Sequence, residues 1–182
     1  SKGPIAVARD EAFSFEYADN LALLEAWGAE VIPFSPLHDA RVPEGVRGVL
    51  IGGGFPELYA DELASNHSML KSVRAVAGRG VPVYAECGGL MYLGESLTDG
   101  EGRAHALAGV VPVRSSMSRA RLTLGYRTAM ARVDGPHVTR GQTVRGHEFH
   151  WSTLESSPGA DTAAYDFAEG SAIEGYARGN VW

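Results

Sequence analysis

The strongest chemical signal in the sequence is a single cysteine between a predicted strand and a predicted helix. Cys87 follows the apolar run 81–85, and Gly88 and Gly89 come directly after it. A strand, one nucleophilic side chain, small residues and a helix are the layout of a nucleophile elbow, which holds a reactive atom at the tip of a sheet. The pattern predicts a thiol nucleophile, although a lone cysteine is also a common small hydrophobic core residue.

The predicted helix at Gly88 adds electrostatic support to this interpretation. Its first backbone N–H groups and the positive end of its dipole would point at Cys87. Both features favour a thiolate over a thiol. The backbone N–H of Gly88 would also be placed to donate a hydrogen bond to an oxyanion.

A second glycine run follows another predicted strand, at 48–51. The run Gly52-Gly53-Gly54 continues into Phe-Pro-Glu, and no Gly-Lys-Ser/Thr follows, which argues against a phosphate-binding P-loop. Ligand sites of open α/β sheets lie at the carboxyl ends of the strands, so this run can face Cys87. We therefore expect Gly53 or Gly54 to supply the second oxyanion donor, the alternative being a plain glycine-rich turn.

A cysteine hydrolase also needs a base, and the histidines do not identify one. The six histidines are His38, His67, His105, His137, His147 and His150. Three of them, His38, His105 and His137, lie in polar, turn-like contexts that predict solvated side chains. His67 follows Asn66 at a predicted helix start.

The run 146–151 contains three further candidates in a strand-like segment. His147, Glu148 and His150 are possible substrate-binding residues or partners of the site, with plain packing as the alternative. Side chains alternate along a strand, so His147 and His150 should point to opposite faces. Only one of them can reach a common site, and we predict no metal centre.

Arginines are concentrated in the second half of the chain. Seven lie between positions 114 and 145, where Asp134 is the only acidic residue. They could form a basic surface for an acidic partner domain or a polycarboxylate substrate. Alternatively, the arginines lie on solvated faces of strands, and the sequence alone favours this interpretation.

The elements that would position these residues alternate in the first half of the chain. We predict strands at 4–8, 30–34, 48–51 and 81–85, and helices at 17–27, 58–79 with a break near 65–66, and 88–93. Leu21, Leu24 and Trp27 would form the apolar face of the first helix, capped by Asp19 or Asn20. This order predicts an α/β fold with a mostly parallel sheet and helices on both faces. The strand-like segments 107–114, 121–133, 142–151 and 172–182 predict antiparallel strands and hairpins added to the sheet.

Composition narrows the class of protein. The chain has 182 residues, 45% hydrophobic, 21% charged and a net charge of −6, which suits one globular domain. The acidic balance argues against nucleic acid and membranes as partners, and no signal peptide opens the chain, so we expect a cytoplasmic protein. Both ends look cut, and we expect a fragment of a longer polypeptide.

Four stretches together resemble one family, the glutaminase domain of the cobyrinic (or hydrogenobyrinic) acid a,c-diamide synthases. They are Tyr-Ala-Glu-Cys-Gly-Gly-Leu-Met-Tyr-Leu at 84–93, Val-Ala-Arg-Asp-Glu-Ala-Phe-Ser-Phe at 7–15, Gly-Gly-Gly-Phe-Pro-Glu-Leu at 52–58 and Gly-His-Glu-Phe-His-Trp-Ser at 146–152. The resemblance spans nearly all of residues 1–182. It implies one flavodoxin-like, class I glutamine amidotransferase domain of the corrin branch of cobalamin biosynthesis.

The resemblance also implies roles and partners. Cys87 would attack the amide of glutamine, release ammonia and carry a glutamyl thioester, with Gly53 or Gly54 and Gly88 around the oxyanion. The domain itself would need no cofactor. A synthetase domain before it would use ATP and Mg²⁺ to activate two carboxylates of a corrinoid acceptor, which the ammonia then converts into amides.

Two family features lie outside this sequence. The synthetase domain would precede residue 1, and the catalytic histidine would follow residue 182 in a His-x-His tail. We therefore expect poor glutaminase activity from residues 1–182 alone.

Two other hypotheses remain open. One is a non-catalytic interaction module of the same fold. The other is a related amidotransferase acting on cobyric acid or a cell-wall substrate, which the Met91 context disfavours.

Overall fold

The computed structural model describes residues 3–156, 158–168 and 173–182. Its elements in chain order are β1 (Gly3–Ala8), α1 (Ala18–Ala26), β2 (Ala29–Phe34), β3 (Gly48–Ile51), a 3₁₀ turn (Pro56–Tyr59), α2 (Ala60–Ser65), α3 (His67–Gly78), β4 (Val83–Ala85), α4 (Gly88–Leu93), β5 (Ser96–Thr98), β6 (Ala104–Ala106), β7 (Arg114–Ser116), β8 (Thr123–Ala131), β9 (Thr143–His150), β10 (Thr153–Leu154), β11 (Tyr165–Phe167) and β12 (Ile173–Glu174). The alternating strands and helices of the first half are confirmed.

The first four strands form one parallel sheet in the order β2-β1-β3-β4. This is the beginning of the doubly wound order 2-1-3-4-5. Residues at the end of the described chain occupy the next position, because Val83 N donates to Asn180 O and Ala85 N donates to Trp182 O, both at 2.8 Å. Val83 and Val181 pair in parallel. The predicted α/β fold with a parallel sheet is confirmed.

The second half contains the predicted antiparallel strands, but they build two further four-stranded sheets. These have the orders β10-β7-β5-β6 and β12-β11-β8-β9. The predicted strand at 107–114 is wrong, since β7 begins only at Arg114. In the predicted strand at 172–182, position 172 lies outside the described residues, and the remainder contains only β12 and the bridges of Val181. Apolar residues of these segments, such as Val111 and Val113, pack in the core without belonging to a strand.

The helix break predicted near Asn66 is confirmed and has a clear cause. Asn66 caps α3 by accepting a hydrogen bond from the backbone N–H of Met69, and its side-chain amide donates to carbonyls of the 36–39 loop. Met69 and Val73 of α3 are buried in the same core as Ile51 of the sheet. Gly80 ends this segment at a φ of +80°, a conformation that a side chain would strain.

The apolar face predicted for α1 is wrong. No residue of α1 is buried, and Trp27 is 80% exposed. The helix begins after Tyr17 without a side-chain cap, so the predicted caps at Asp19 and Asn20 are wrong too. The helix follows β1 and leads into β2, which is the edge strand of the parallel sheet. An edge strand offers a helix little apolar surface.

His105 is buried, contrary to the prediction of a solvated side chain. Its Nδ1 lies 3.1 Å from Asp61 Oδ1, and its Nε2 lies 2.8 Å from Asp99 Oδ2. Asp99 is buried as well and accepts from the guanidinium of Arg103 at 3.0 Å. The imidazole thus joins α2 to the β5–β6 hairpin through two carboxylates, and ion pairing makes its burial tolerable.

This cluster predicts a specific loss of stability in acid. Hydrogen bonds from His105 and from the Arg103 backbone hold the pKa of Asp99 well below its usual range. A carboxyl whose pKa is lower in the folded than in the unfolded state stabilises the fold. The stabilisation is complete above the unfolded-state pKa of about 4, and it is lost as the pH falls toward the folded-state pKa. In urea unfolding, the difference in unfolding free energy between wild type and Asp99→Asn should therefore shrink below about pH 4.

A matched control is the exposed neighbour Glu101, which bridges the same arginine at 3.4 Å. Glu101→Gln should change the unfolding free energy by less than about 0.5 kcal/mol at neutral pH. An Asp99→Asn difference that stays constant from pH 7 to pH 3 would show that the carboxylate is not stabilised by folding.

Candidate active site

The backbone at Cys87 has the geometry of a nucleophile elbow. Cys87 has φ 49° and ψ −109°, and it is the only non-glycine residue with positive φ in the described part of the chain. It joins β4, which ends at Ala85, to α4, which begins at Gly88. A side chain in this conformation costs about 1–3 kcal/mol and persists where the surrounding structure imposes it.

Glycines make this sharp turn possible. A Cβ on Gly89 would lie 2.2 Å from Ile51 O, and one on Gly88 would lie 2.9 Å from Pro56 Cδ and 3.1 Å from Gly54 N. The helix start therefore packs directly against β3 and the loop that follows it. Only residues without a side chain permit this approach.

The two predicted glycine runs do meet at Cys87. A Cβ on Gly53 would lie 3.6 Å from Cys87 Cβ, and Gly54 is held so tightly that its Cβ would lie 2.0 Å from Ala12 O. Gly54 also lines the same cavity as Cys87. The backbone of Gly54 therefore lies against that of Gly88 beside the thiol, where the sequence predicts the oxyanion donors.

A small cavity opens beside the thiol. Its volume is about 30 Å³. Its walls are Phe15, Gly54, Phe55, Glu57, Cys87, Met91, Met117, Phe149, His150, Trp151 and Ser152. Phe15 and Phe55 stack edge to face with ring centroids 5.1 Å apart.

The thiol is not activated by its surroundings, in contrast to the sequence-based expectation. Desolvation raises the pKa of Cys87, the Gly88 amide lowers it, and the carboxylates of Glu57 and Glu86 raise it further. The net shift of the Cys87 pKa is upward because burial outweighs the hydrogen bond from Gly88, and the two carboxylates add to it. The Cys87 Sγ lies 4.0 Å from Phe149 O, where the thiol can donate a weak hydrogen bond. Reaction at neutral pH therefore requires a base.

Glu57 is a site residue to which the sequence pattern assigned no role. It lines the cavity with Cys87, and its carboxylate makes no ion pair with any residue that the structure describes. Burial raises the pKa of Glu57, and its charge acts on the thiol. Its position directly after the glycine run and Pro56 was the signal available in the sequence.

His150 and Glu148 form a network at the edge of the cavity. His150 Nδ1 lies 2.8 Å from Ser152 O, and its Nε2 lies 2.8 Å from Glu148 Oε1. Arg127 Nε donates to the other oxygen of Glu148 at 2.7 Å. Both ring nitrogens of His150 thus face oxygen atoms of its neighbours, and neither is directed at the Cys87 thiol.

His147 lies on the other side of the sheet. It pairs with Tyr126, whereas His150 pairs with Thr123, so the two side chains point to opposite faces as predicted. His147 is exposed and does not line the cavity. Only His150 of the two reaches the site.

The remaining histidines have other partners. His38 is exposed, as predicted, and its pKa is raised by the hydrogen bond to Glu11. His137 is exposed, as predicted, and it also stacks on Tyr84 with ring centroids 4.6 Å apart and hydrogen-bonds Tyr165. His67 is the first residue of α3.

The described residues contain neither a cluster of metal ligands nor a membrane-spanning helix. Within residues 3–156, 158–168 and 173–182, no three His, Cys, Asp or Glu side chains are grouped so that they could hold a metal ion. No helix in those ranges is long and apolar enough to cross a membrane.

Curated relatives match the whole chain. It is 45% identical to a cobyrinate a,c-diamide synthase from Synechococcus sp. over 100% of this chain, and 49% identical to one from Gloeobacter violaceus over 97%. A Salmonella typhimurium protein of the same name is 43% identical over 98%. The chain spans only 40%, 38% and 39% of these relatives, respectively.

Solved structures support the same fold. A chain of PurLQS from Thermotoga maritima superimposes with a TM-score of 0.70 at 15% identity, covering 100% of this chain and 85% of that one. A glutamine amidotransferase from the same organism gives 0.61 at 12%, covering 99% and 73%. The profile of one family, described as the CobB/CobQ-like glutamine amidotransferase domain, matches residues 4–182. With Cys87 at a strained elbow between two glycine runs, the chain therefore belongs to the CobB/CobQ-like glutamine amidotransferase domains.

Proposed function

We propose that this domain hydrolyses glutamine through a thioester on Cys87. The observation that carries the proposal is the strained Cys87 backbone between the glycine runs of β3 and α4. Sγ attacks the side-chain carbonyl carbon of glutamine, and the carbonyl oxygen becomes an oxyanion that accepts hydrogen bonds from Gly88 and from Gly53 or Gly54. The amide nitrogen leaves as ammonia after gaining the thiol proton. Water then adds to the acyl carbon, giving glutamate and the free thiol.

The base for this reaction is proposed to follow Trp182 in a longer polypeptide. Trp182 O accepts from Ala85 N, and the final residues run parallel to β4 toward the elbow. In a polypeptide that continues past Trp182, the next residues would run beside Glu86 and Cys87. A histidine in that segment, which the family resemblance implies, would be within reach of the thiol.

We assign Glu57 to the α-ammonium group of glutamine. A half-buried carboxylate in a cavity stabilises a bound cation, and the ammonium would offset its desolvation. Glu57→Gln should slow the labelling of Cys87 by a chloroketone analogue of glutamine by about tenfold or more, because the reagent's ammonium group loses one charge-assisted hydrogen bond. Labelling by iodoacetamide, which has no ammonium group, should become faster, because removing the Glu57 charge lowers the pKa of Cys87.

The matched control is Glu62→Gln, an exposed acidic residue of α2. It should change neither labelling rate. If Glu57→Gln slows both reagents equally, or leaves the chloroketone rate unchanged, Glu57 does not recognise the amino acid.

The wider reaction is proposed from the relatives. The ammonia would pass to a synthetase portion of the same polypeptide that uses ATP and Mg²⁺, and would there amidate the a and c carboxylates of a (hydrogeno)cobyrinic acid. We place this activity in the cytoplasm, because reducing conditions keep a nucleophilic cysteine as a thiol. The exposed arginines between 114 and 145 suit contact with an acidic partner or acceptor.

The test is to map the chloroketone adduct on the full-length protein, in which the base proposed to follow Trp182 is present. We expect modification of Cys87 alone, protection by free glutamine and no modification of Cys87→Ser. A non-catalytic interaction module would instead react no faster than a simple cysteine peptide and would show no protection by glutamine.

A further inference from the structure

The antiparallel pair β8–β9 has one open apolar face. Side chains of directly opposed residues share a face, and the pairs Leu124–Phe149 and Tyr126–His147 lie on the same side of this hairpin. Leu124 is 64% exposed, Tyr126 88% and Phe149 45%. We call this side of the hairpin the outer face of β8–β9; its residues are Leu124, Tyr126, Met130, His147 and Phe149.

The opposite side of the same hairpin is covered. Ala129 and Ala131 are buried there. Arg127 and Glu148 form an ion pair of 2.7 Å on that side, and His150 completes the network. The hairpin therefore has one side that the described fold packs and one aromatic side that no described residue covers. Contiguous exposed apolar patches of this kind mark interaction surfaces, where aromatic residues are enriched.

The outer face is continuous with the proposed active site. Phe149 belongs to the outer face and also lines the cavity, and its carbonyl oxygen lies 4.0 Å from Cys87 Sγ. Trp151, 46% exposed, lines the cavity from the same end of the hairpin. A partner seated on this face would contact the wall of the Cys87 cavity directly.

The length of a relative and the exposed arginines near this face indicate the partner. The Synechococcus relative matches this chain over only 40% of its own length, so more than half of that protein lies outside the matched region. The chain as a whole has a net charge of −6, yet Arg145 on the outer side and Arg121 beside Trp151 are exposed and pair with no acidic residue among those described. An acidic surface on the partner would complement them.

Chemistry gives a third reason. Ammonia released at Cys87 is protonated or diluted once it reaches bulk water, whereas a covered exit delivers it to the acceptor. This step rests on the glutaminase function proposed above. We propose that the remaining portion of the synthase docks on the outer face of β8–β9, through Leu124 and Tyr126, and covers the mouth of the Cys87 cavity.

The test uses the full-length synthase with Leu124→Glu and Tyr126→Glu combined. Both side chains are exposed, so the melting temperature of the domain should stay unchanged. We expect glutamine-dependent amidation to fall by about tenfold or more, as for hot-spot residues. Amidation with added ammonium chloride and chloroketone labelling of Cys87 should persist. The matched control is Trp27→Glu at the end of α1, which is also exposed but leads into β2, the edge strand at the opposite end of the parallel sheet from β4. It should have no effect.

Each alternative has its own result. Unchanged glutamine-dependent amidation in the double variant, with Cys87 still labelled, overturns the docking proposal and leaves the glutaminase function standing. Absence of labelling in the wild type overturns the glutaminase function instead. If the isolated 182-residue chain is a dimer that the double variant converts to a monomer without loss of amidation, the occupant is a second copy and the proposal is wrong.

Discussion

Cys87→Ser is expected to lower glutamine hydrolysis by at least about a thousandfold in the full-length protein, as loss of a covalent nucleophile does. A serine hydroxyl occupies nearly the same space but is far less acidic than a thiol, so the attacking anion is not formed. Amidation with added ammonium chloride should continue, since that route bypasses Cys87. Steady-state assays of glutamate release and of ammonia-dependent amidation measure the two activities separately.

A stability measurement separates the loss of the nucleophile from damage to the fold. Cys87 has φ 49° and ψ −109°, a conformation that glycine adopts without strain. Cys87→Gly should therefore raise the unfolding free energy of the isolated chain by about 1 kcal/mol relative to Cys87→Ser, after the entropy cost of glycine. An inactive Cys87→Ser protein that is also markedly less stable than wild type would not support the catalytic role.

Gly54→Ala should damage the site from the other side of the cavity. The new Cβ would lie 2.0 Å from Ala12 O, a backbone atom that cannot rotate away. The loop must therefore shift, at a cost of about 1–3 kcal/mol. Its amide would move away from the thiol, and glutamine hydrolysis should fall by about a hundredfold or more, as for loss of an oxyanion donor.

Gly146→Ala is the matched control for this substitution. Gly146 lies in β9, its φ is not positive, and a Cβ there would meet nothing within 4 Å. The unfolding free energy should change by less than about 0.5 kcal/mol, and the hydrolysis rate should remain that of wild type. A Gly54→Ala protein with wild-type hydrolysis would exclude Gly54 from the oxyanion site.

The elbow could be predicted from the sequence because it depends on local chemistry. A short apolar strand, a cysteine and two glycines allow few conformations, and the glycine run after β3 must lie at the same sheet edge. The parallel sheet was predictable for the same reason, since alternating strands and helices limit the connections. Asn66 gave the break between α2 and α3 through its capping chemistry.

Features that depend on distant partners could not be predicted. His105 lies in a polar stretch, and only the approach of Asp61 from α2 makes its burial favourable. The apolar residues of α1 give a reasonable helical pattern, but an edge strand gives Trp27 no cover. The raised pKa of Cys87 arises from desolvation and from the carboxylates of Glu57 and Glu86, whose distances a linear pattern does not contain.

The upward shift of the Cys87 pKa supports the proposal that a base from a longer polypeptide serves this site. A thiol held in its protonated form reacts slowly until a base is supplied. Phe149 takes part in both the wall and the outer face of β8–β9. Hydrolysis in the full-length protein is therefore expected to exceed that of the isolated chain.

The most direct test of the nucleophile at the elbow is to trap its acyl intermediate. The full-length protein is mixed with isotopically labelled glutamine, quenched in acid within the first turnover, digested and examined by mass spectrometry. We predict a labelled glutamyl group on the peptide containing Cys87, removable by hydroxylamine as a thioester is. Rapid release of labelled glutamate with the Cys87 peptide unmodified, or with the label on another residue, would contradict the account.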